Sequence, residues 1–383
     1  MKIKDIDTVT VNAYWRNWVF VKVYCDNGDL VGIGEASLEN FEQSVIATIK
    51  HLKRLLIGED PFNIELLTRR MYVYPFWRGG PVLQTAISGI EMALWDILAK
   101  SLGVPVFRLL GGRCHEKIRL YANGWCSGLA SAEEFAEAAV KTVKKGFKAL
   151  KFDPFGISDQ LIDEKTLQEA INRIHVVREE VGEHVDLMIE AHGRFNTSTA
   201  KKIAKAIEAY NVAWFEEPVL PDNIKQLLEV KKSTNIPIAA GERLYTRYEF
   251  WRLFSMGCVD IAQPDICHVG GIMELKRIAA MAEVNYIMMA PHIGGNGPIS
   301  TVACLHVMSS IPNGMILEHF VDIPWRNEVI YPQIKIEDGY AYVPENPGLG
   351  IEINEEIVND HPYKDSYIDL YSPNYRYHSS TTL

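Results

Sequence analysis

Cysteine is scarce and scattered in this chain. Cys25, Cys114, Cys126, Cys258, Cys267 and Cys304 form no CxxC pair and no compact framework, which excludes a zinc ribbon or a disulfide scaffold and leaves reduced core thiols. No run of about 18 apolar residues occurs, and the start, MKIKDIDTVTV, has no apolar stretch of signal-peptide length. The expectation is a soluble, cytoplasmic protein with no membrane partner. Basic residues are in the minority: 39 Lys+Arg stand against 49 Asp+Glu, a net charge of −10. That sign argues against a chain whose main task is to grip a nucleic-acid backbone. Ser/Gly-rich linkers, low-complexity tracts and charge blocks are also absent, so the parts of the chain are expected to fold against one another.

What is present is a chain of 383 residues, 48% hydrophobic and 23% charged. That is close to the globular average and long enough for a large barrel with a smaller partner. IDTVTVNAY and WVFVKVYC alternate like strands, DNGD supplies a turn, and LVGIGEAS follows. From Phe41 to Leu110 the pattern is helical, with segments closing at Gly58 and Gly103, each suited to a helix C-terminus. Strands followed by helices predict an α+β domain over residues 1–118. Eight short apolar runs come next: RLYANGW, KALKFDP, VDLMIEAH, VAWFEEP, PIAAGE, VDIAQPD, NYIMMAPH and GMILEH. Amphipathic segments lie between them, which predicts parallel βαβ units closing into an α/β barrel over residues 119–325. The remainder, 326–383, is expected to pack back on the first domain, with its polar end NYRYHSSTTL frayed.

The residues that end these runs carry the chemistry. Glu190, Glu216, Glu242, Asp265, His292 and Glu318 follow one another at spacings of 26, 26, 23, 27 and 26 residues. Each spacing is about one strand, one helix and two loops, so the six polar groups share the C-terminal rim, where barrel enzymes build their active sites. Three glutamates on consecutive strands would repel unless a cation lay between them. Oxygen-only ligands suit a hard ion, Mg²⁺ before Ca²⁺. His292 lies one strand beyond Asp265, which can fix its tautomer and raise its basicity as a general base requires. His192, two residues after Glu190, is expected by strand alternation to face the same side as a general acid. Lys151 ends the second run, where it either neutralises an anionic substrate or pairs with Asp153.

With these motifs on the page, the chain resembles the enolase superfamily, in its mandelate racemase subgroup, over nearly its whole length. AISGIEMALWDILAK, EEPV, GER, QPDICHVGG and PGLG occur in the family's order. The resemblance implies a modified (β/α)7β barrel with an α+β cap. It makes Glu190, Glu216 and Glu242 the ligands of one Mg²⁺ per subunit and Asp265–His292 a catalytic dyad. Glu318, protonated or sharing a proton, would then bond the carboxylate side of the substrate. The first ligand is more often aspartate in that family, so Glu190 is a departure. Racemases and lactonising enzymes of the subgroup carry a KxK pair on the second strand, whereas this chain reads Lys151, Phe152, Asp153. That difference, together with His192, resembles sugar-acid dehydratases, and YANGW, KALKFDPFG and IEAHGRFN are similar to archaeal-type gluconate/galactonate dehydratases.

The implied reaction removes the C2 proton of an aldonate and expels the C3 hydroxyl, giving a 2-keto-3-deoxy sugar acid. Substrate contacts are expected from Tyr14, Trp15 and Arg16, from Phe76, Trp77 and Arg78, and from Asn123, Asp153 and Arg194. A sugar-acid epimerase, a cycloisomerase or a pentonate (arabinonate/xylonate) dehydratase needs the same metal and base. A non-catalytic relative would be expected to lose these ligands. The resemblance also implies a homo-oligomer, commonly an octamer.

Overall fold

Three antiparallel strands open the chain in the computed structural model, which describes residues 1–367 except 27 and 29. Two positions of the expected DNGD turn and the whole NYRYHSSTTL end lie outside the described residues. The strands β1 (Ile3–Ala13), β2 (Arg16–Cys25) and β3 (Val31–Glu35) form a meander. It packs on the helices α1 (Glu42–Leu52) and α3 (Pro81–Leu102), and α2 (Ile64–Val73) packs in turn on α3. The VGIGE pattern of β3 reflects a close approach: a Cβ on Gly34 would stand 2.1 Å from the Gly89 carbonyl oxygen of α3.

By length and composition α3 could cross a membrane, but most of it is buried as the core helix of the cap. Its acids brace other parts of the molecule. Glu91 accepts the N–H groups of Ile272 and Met273 at 2.7 and 3.0 Å, capping a helix of the barrel. Asp96 accepts those of Ile33 and Leu349 at 2.9 and 2.7 Å, joining β3 to the returning tail.

The eight predicted runs are the eight strands of a closed barrel. They are β4 (Lys117–Asn123), β5 (Ala149–Phe152), β6 (Asp186–Glu190), β7 (Trp214–Glu216), β8 (Ile238–Ala240), β9 (Ile261–Ala262), β10 (Met288–Met289) and β11 (Leu317–Phe320). β4 to β10 pair in sequence order, all parallel. β11 pairs with β4, and the parallel bridge Met289–Gly314 closes the ring. Helices separate each strand from the next, and the eighth strand passes into the tail. The architecture is therefore (β/α)7β.

The tail runs first along the barrel, where the strand Tyr340–Tyr342 pairs antiparallel with β4. It then crosses to the cap, with Gly348 bonded to Val104 and Val106 and the His361 carbonyl accepting from Asn12 N–H at 2.8 Å. Five of the six cysteines are buried, Cys114 is exposed, and all are free thiols.

Candidate active site

One buried side chain from each strand fills the barrel interior: Tyr121, Ala149, Met188, Trp214, Ala239, Ile261, Ala290 and Ile316. Strand side chains repeat their direction every second residue. Two residues further toward the C-terminal rim therefore stand Asn123, Lys151, Glu190, Glu216, Gln263, His292 and Glu318. The apolar layer is the floor and the polar one is the site. β8 breaks the rule at Gly241, whose φ is +141° and whose Cβ would lie 2.8 Å from the Phe250 ring. With that position barred to a side chain, the next residue, Glu242, supplies the carboxylate.

Glu190, Glu216 and Glu242 each offer an oxygen, and the three atoms lie within 4.8 Å of one another. Glu190 and Glu216 are buried, and Glu190 Oε2 has no hydrogen-bond partner among the described residues. Burial, and then the neighbouring Glu190 carboxylate, push the pKa of Glu216 up to about 8. Burial raises that of Glu190 as well. Three crowded carboxylates with an orphaned oxygen and no soft donor fit a hard divalent cation.

Lys151 faces this cluster, so the pairing with Asp153 that the sequence left open is not the one the structure shows. Its Nζ lies 2.6 Å from Glu216, 2.9 Å from Glu318 and 3.5 Å from Glu190. Burial alone would depress its pKa, but Glu216, Glu318 and the other neighbours hold it well above the usual lysine range. Glu318 accepts from Asn123 Nδ2 at 2.8 Å and from the N–H groups of Ile293 and Gly294 at 2.9 and 3.1 Å. Burial opposes its ionisation, yet Lys151, His292 and those donors outweigh it and hold the pKa far below the carboxylate range. These donors and cations favour the ionised carboxylate over a protonated or proton-sharing one.

His292 Nδ1 lies 2.8 Å from Asp265 Oδ2. Asp265 also accepts from Cys267 N–H at 2.7 Å and from Asn296 Nδ2 at 3.0 and 2.8 Å. Burial works against the Asp265 charge, but His268 and His292 prevail and keep its pKa low. An acceptor at Nδ1 leaves Nε2 as the basic atom, and it stands 3.1 Å from Glu242 and 3.7 Å from Glu318.

His192 is placed by a turn and not by strand alternation. The strand ends at Glu190, His192 has φ +49°, and its N–H donates to Glu190 Oε1 at 2.6 Å. Its Nδ1 lies 2.8 Å from Asp153 Oδ2, and Arg194 donates to the same oxygen. Burial opposes the Asp153 charge, while Arg194 and His192 lower its pKa in balance. Arg194 also donates to the carbonyls of Ala191 and Gly156, so Asp153 and Arg194 are committed to each other and to His192.

Among the cap residues, Arg16 is buried, donating to the Gly295 carbonyl at 2.7 Å and to Asp322 at 2.9 Å, and Trp15 Nε1 donates to Asp322 at 3.3 Å. Glu39 accepts Gly295 N–H at 2.8 Å. Together they fasten the loop that follows His292. Tyr14 packs edge-on against Trp325. Phe76 and Trp77 pack edge-on against each other and are exposed. Arg78 lines a separate cavity of about 650 Å³ with Glu65, Gln84, Arg247 and Glu274. The structure does not bring Arg78 into the ring of strand-end residues. Sequence reasoning missed Gln263 and Asn296; the two-residue step from the floor residue Ile261 was the available signal for Gln263, and Asn296 lies in a loop with no such period.

Residues 6–111 match the family model described as mandelate racemase / muconate lactonizing enzyme, N-terminal domain, and residues 134–357 match enolase C-terminal domain-like. The chain is similar to D-galactonate dehydratase of Cronobacter sakazakii, 39% identical, with 94% of each chain covered. It is similar to D-gluconate/D-galactonate dehydratase of Picrophilus torridus, 36% identical over 90% of this chain and 88% of that protein. A solved mandelate racemase/muconate lactonizing enzyme from Sulfitobacter sp. superimposes with a TM-score of 0.89 at 36% identity, covering 95% of this chain and 96% of that one.

Proposed function

The chain belongs to the mandelate racemase/muconate lactonizing enzyme group of the enolase superfamily, and from that premise we propose a Mg²⁺-dependent sugar-acid dehydratase acting on an aldonate of the galactonate/gluconate type. The observation that carries this function is the pair of imidazoles, each fixed by its own carboxylate: His292 by Asp265 and His192 by Asp153. β6, which leads into His192, and β10, which leads into His292, are four strands apart in a ring of eight. That separation suits a base and an acid acting on adjacent carbons of one substrate held between them.

Glu190, Glu216 and Glu242 would hold the cation, which when bound supplies Lewis-acid charge to the substrate carboxylate. The residues of the chain do the rest. Lys151 places an ammonium where negative charge grows as the C2 proton leaves. Nε2 of His292 takes that proton, with Asp265 and Asn296 keeping the ring in orientation. Nε2 of His192 meets the departing C3 hydroxyl and gives it a proton, with Asp153 and Arg194 holding the other ring nitrogen. The enol that remains tautomerises to the 2-keto-3-deoxy acid. A single lysine on β5 leaves the base assignment to His292, in contrast to a racemase that needs two bases.

The test is a panel of hexonates and pentonates incubated with protein and Mg²⁺, scored for 2-keto acid and, in deuterium oxide, for C2 exchange. Keto acid from galactonate or gluconate is expected, and His292→Asn is expected to abolish it while calorimetry still shows Mg²⁺ binding. Exchange without keto acid would transfer the assignment to an epimerase or cycloisomerase, and turnover of pentonates alone to a pentonate dehydratase. Assembly as a homo-oligomer belongs to the same proposal and is read by light scattering.

A further inference from the structure

We infer that Gln263 recognises the hydroxyl on the carbon that loses its proton, and so restricts the site to 2-hydroxy acids; this rests on the dehydratase function proposed above. Gln263 is 1% exposed, and among the described residues neither Oε1 nor Nε2 has a hydrogen-bond partner. Leaving both ends of a buried carboxamide unpaired is costly, and native proteins rarely tolerate it without a ligand or a role in chemistry.

The backbone fixes where this carboxamide faces. Gln263 N–H bonds the Ala240 carbonyl at 3.0 Å, and the β9–β10 pairing runs on in register to the Asp265–His292 bridge. Ile261 belongs to the interior floor, so Gln263, two residues on, looks into the same interior. On one side β8 has Gly241 at the matching level, a residue without a side chain. On the other side the register sets Ala290 opposite Gln263, and His292 stands two residues further toward the rim, level with Asp265.

The neighbours decide the ligand. A carboxylate only accepts hydrogen bonds, and the groups that suit it, Lys151 and the cation site, lie on β5 to β8. A hydroxyl both donates and accepts, as the unpaired Oε1 and Nε2 together demand. The hydroxyl nearest the base is the one on the carbon His292 deprotonates. A site built to bond a hydroxyl discriminates strongly against the analogue that lacks it.

The experiment compares an aldonate that the wild type turns over with the matching 2-deoxyaldonate used as a competitive inhibitor, in wild type, Gln263→Leu and Gln263→Met. The wild type should prefer the hydroxylated acid by roughly 10²-fold or more. Both variants should lose at least about tenfold of that preference, with affinity for the 2-deoxy acid unchanged. A second readout needs no turnover: because the unpaired carboxamide is removed, the thermal midpoint of the metal-free variants should stay level or rise. A preference that survives in both variants overturns the inference, as does a clear drop in midpoint, which would mean that the side chain is structural. Weakened Mg²⁺ binding in calorimetry with the preference intact also overturns it, by assigning the carboxamide to the hydration of the cation. If the wild type itself acts on no 2-hydroxy acid, the function proposed above fails, and the inference falls with it.

Discussion

Replacing Lys151 with methionine tests the electrostatic core of the site. Lys151 is 2% exposed, and its ammonium lies 2.6, 2.9 and 3.5 Å from three carboxylates. At an effective dielectric near 20, each contact contributes roughly 5–6 kcal/mol before desolvation, which costs several kcal/mol per ion. Removing one partner of such a buried set leaves uncompensated charge and costs about 3–5 kcal/mol. Methionine nearly conserves the volume, so little of the loss should come from packing. Lys151→Met is therefore expected to lower the guanidinium unfolding midpoint in EDTA by an amount equivalent to about 4 kcal/mol. In saturating Mg²⁺ the gap should narrow, because positive charge returns to Glu190, Glu216 and Glu242. Turnover should fall by at least ~10²-fold in either case, since the positive charge beside the reacting carboxylate is gone. A midpoint within about 0.5 kcal/mol of wild type in EDTA would refute the reasoning, because it would mean that the four side chains do not balance one another as placed.

Four other substitutions test further claims. Gly241→Ala forces a Cβ against Phe250 at a φ of +141°, and should cost roughly 2–4 kcal/mol and weaken Mg²⁺ binding at least ~10-fold by shifting Glu242; unchanged affinity in calorimetry would show that the glycine does not place the third ligand. His192→Asn and Asp153→Asn should stop keto-acid formation by ~10²–10⁴-fold while C2 exchange in deuterium oxide continues; equal loss of both signals would remove His192 from the leaving-group step. His306 uses both ring nitrogens, Nδ1 accepting from Phe107 N–H and Nε2 donating to the Leu349 carbonyl, and burial pushes its pKa down to about 4 from 6.5. The unfolded chain takes up the proton first, so this stabilisation is full above pH 6.5 and lost as pH falls toward 4, by about 2 kcal/mol at pH 5. The midpoint difference between wild type and His306→Gln should shrink accordingly between pH 7 and 5, and a constant difference would contradict it.

Much of the barrel and its rim was legible because one period generates both. A strand, a helix and their loops occupy about 26 residues, so carboxylates at that spacing had to converge once the strands closed. The same arithmetic concealed the exception at β8. The run PIAAGE looks like any other strand ending in an acid, and only the collision of a residue 241 side chain with Phe250 shows that the chain turns there and that Glu242 enters one position late. Uncharged members of the ring were passed over for a related reason. Gln263 occupies the same two-residue step as Lys151 and Glu318, but an amide next to a Pro-Asp pair carries no charge pattern to draw attention.

The cap marks the limit more sharply, because there the deciding partner is remote. An arginine in a β-turn reads equally well as a hydroxyl contact or as a strut. Arg16 is the strut, fixed by Asp322, 306 residues away, and by the Gly295 carbonyl beside the catalytic loop. Its influence on the reaction is then indirect, through the loop that presents His292. Strand spacing can therefore name the groups proposed to act on the carbons near the carboxylate. How cap and barrel loops meet is set by such remote pairs, and no period in the sequence encodes that meeting.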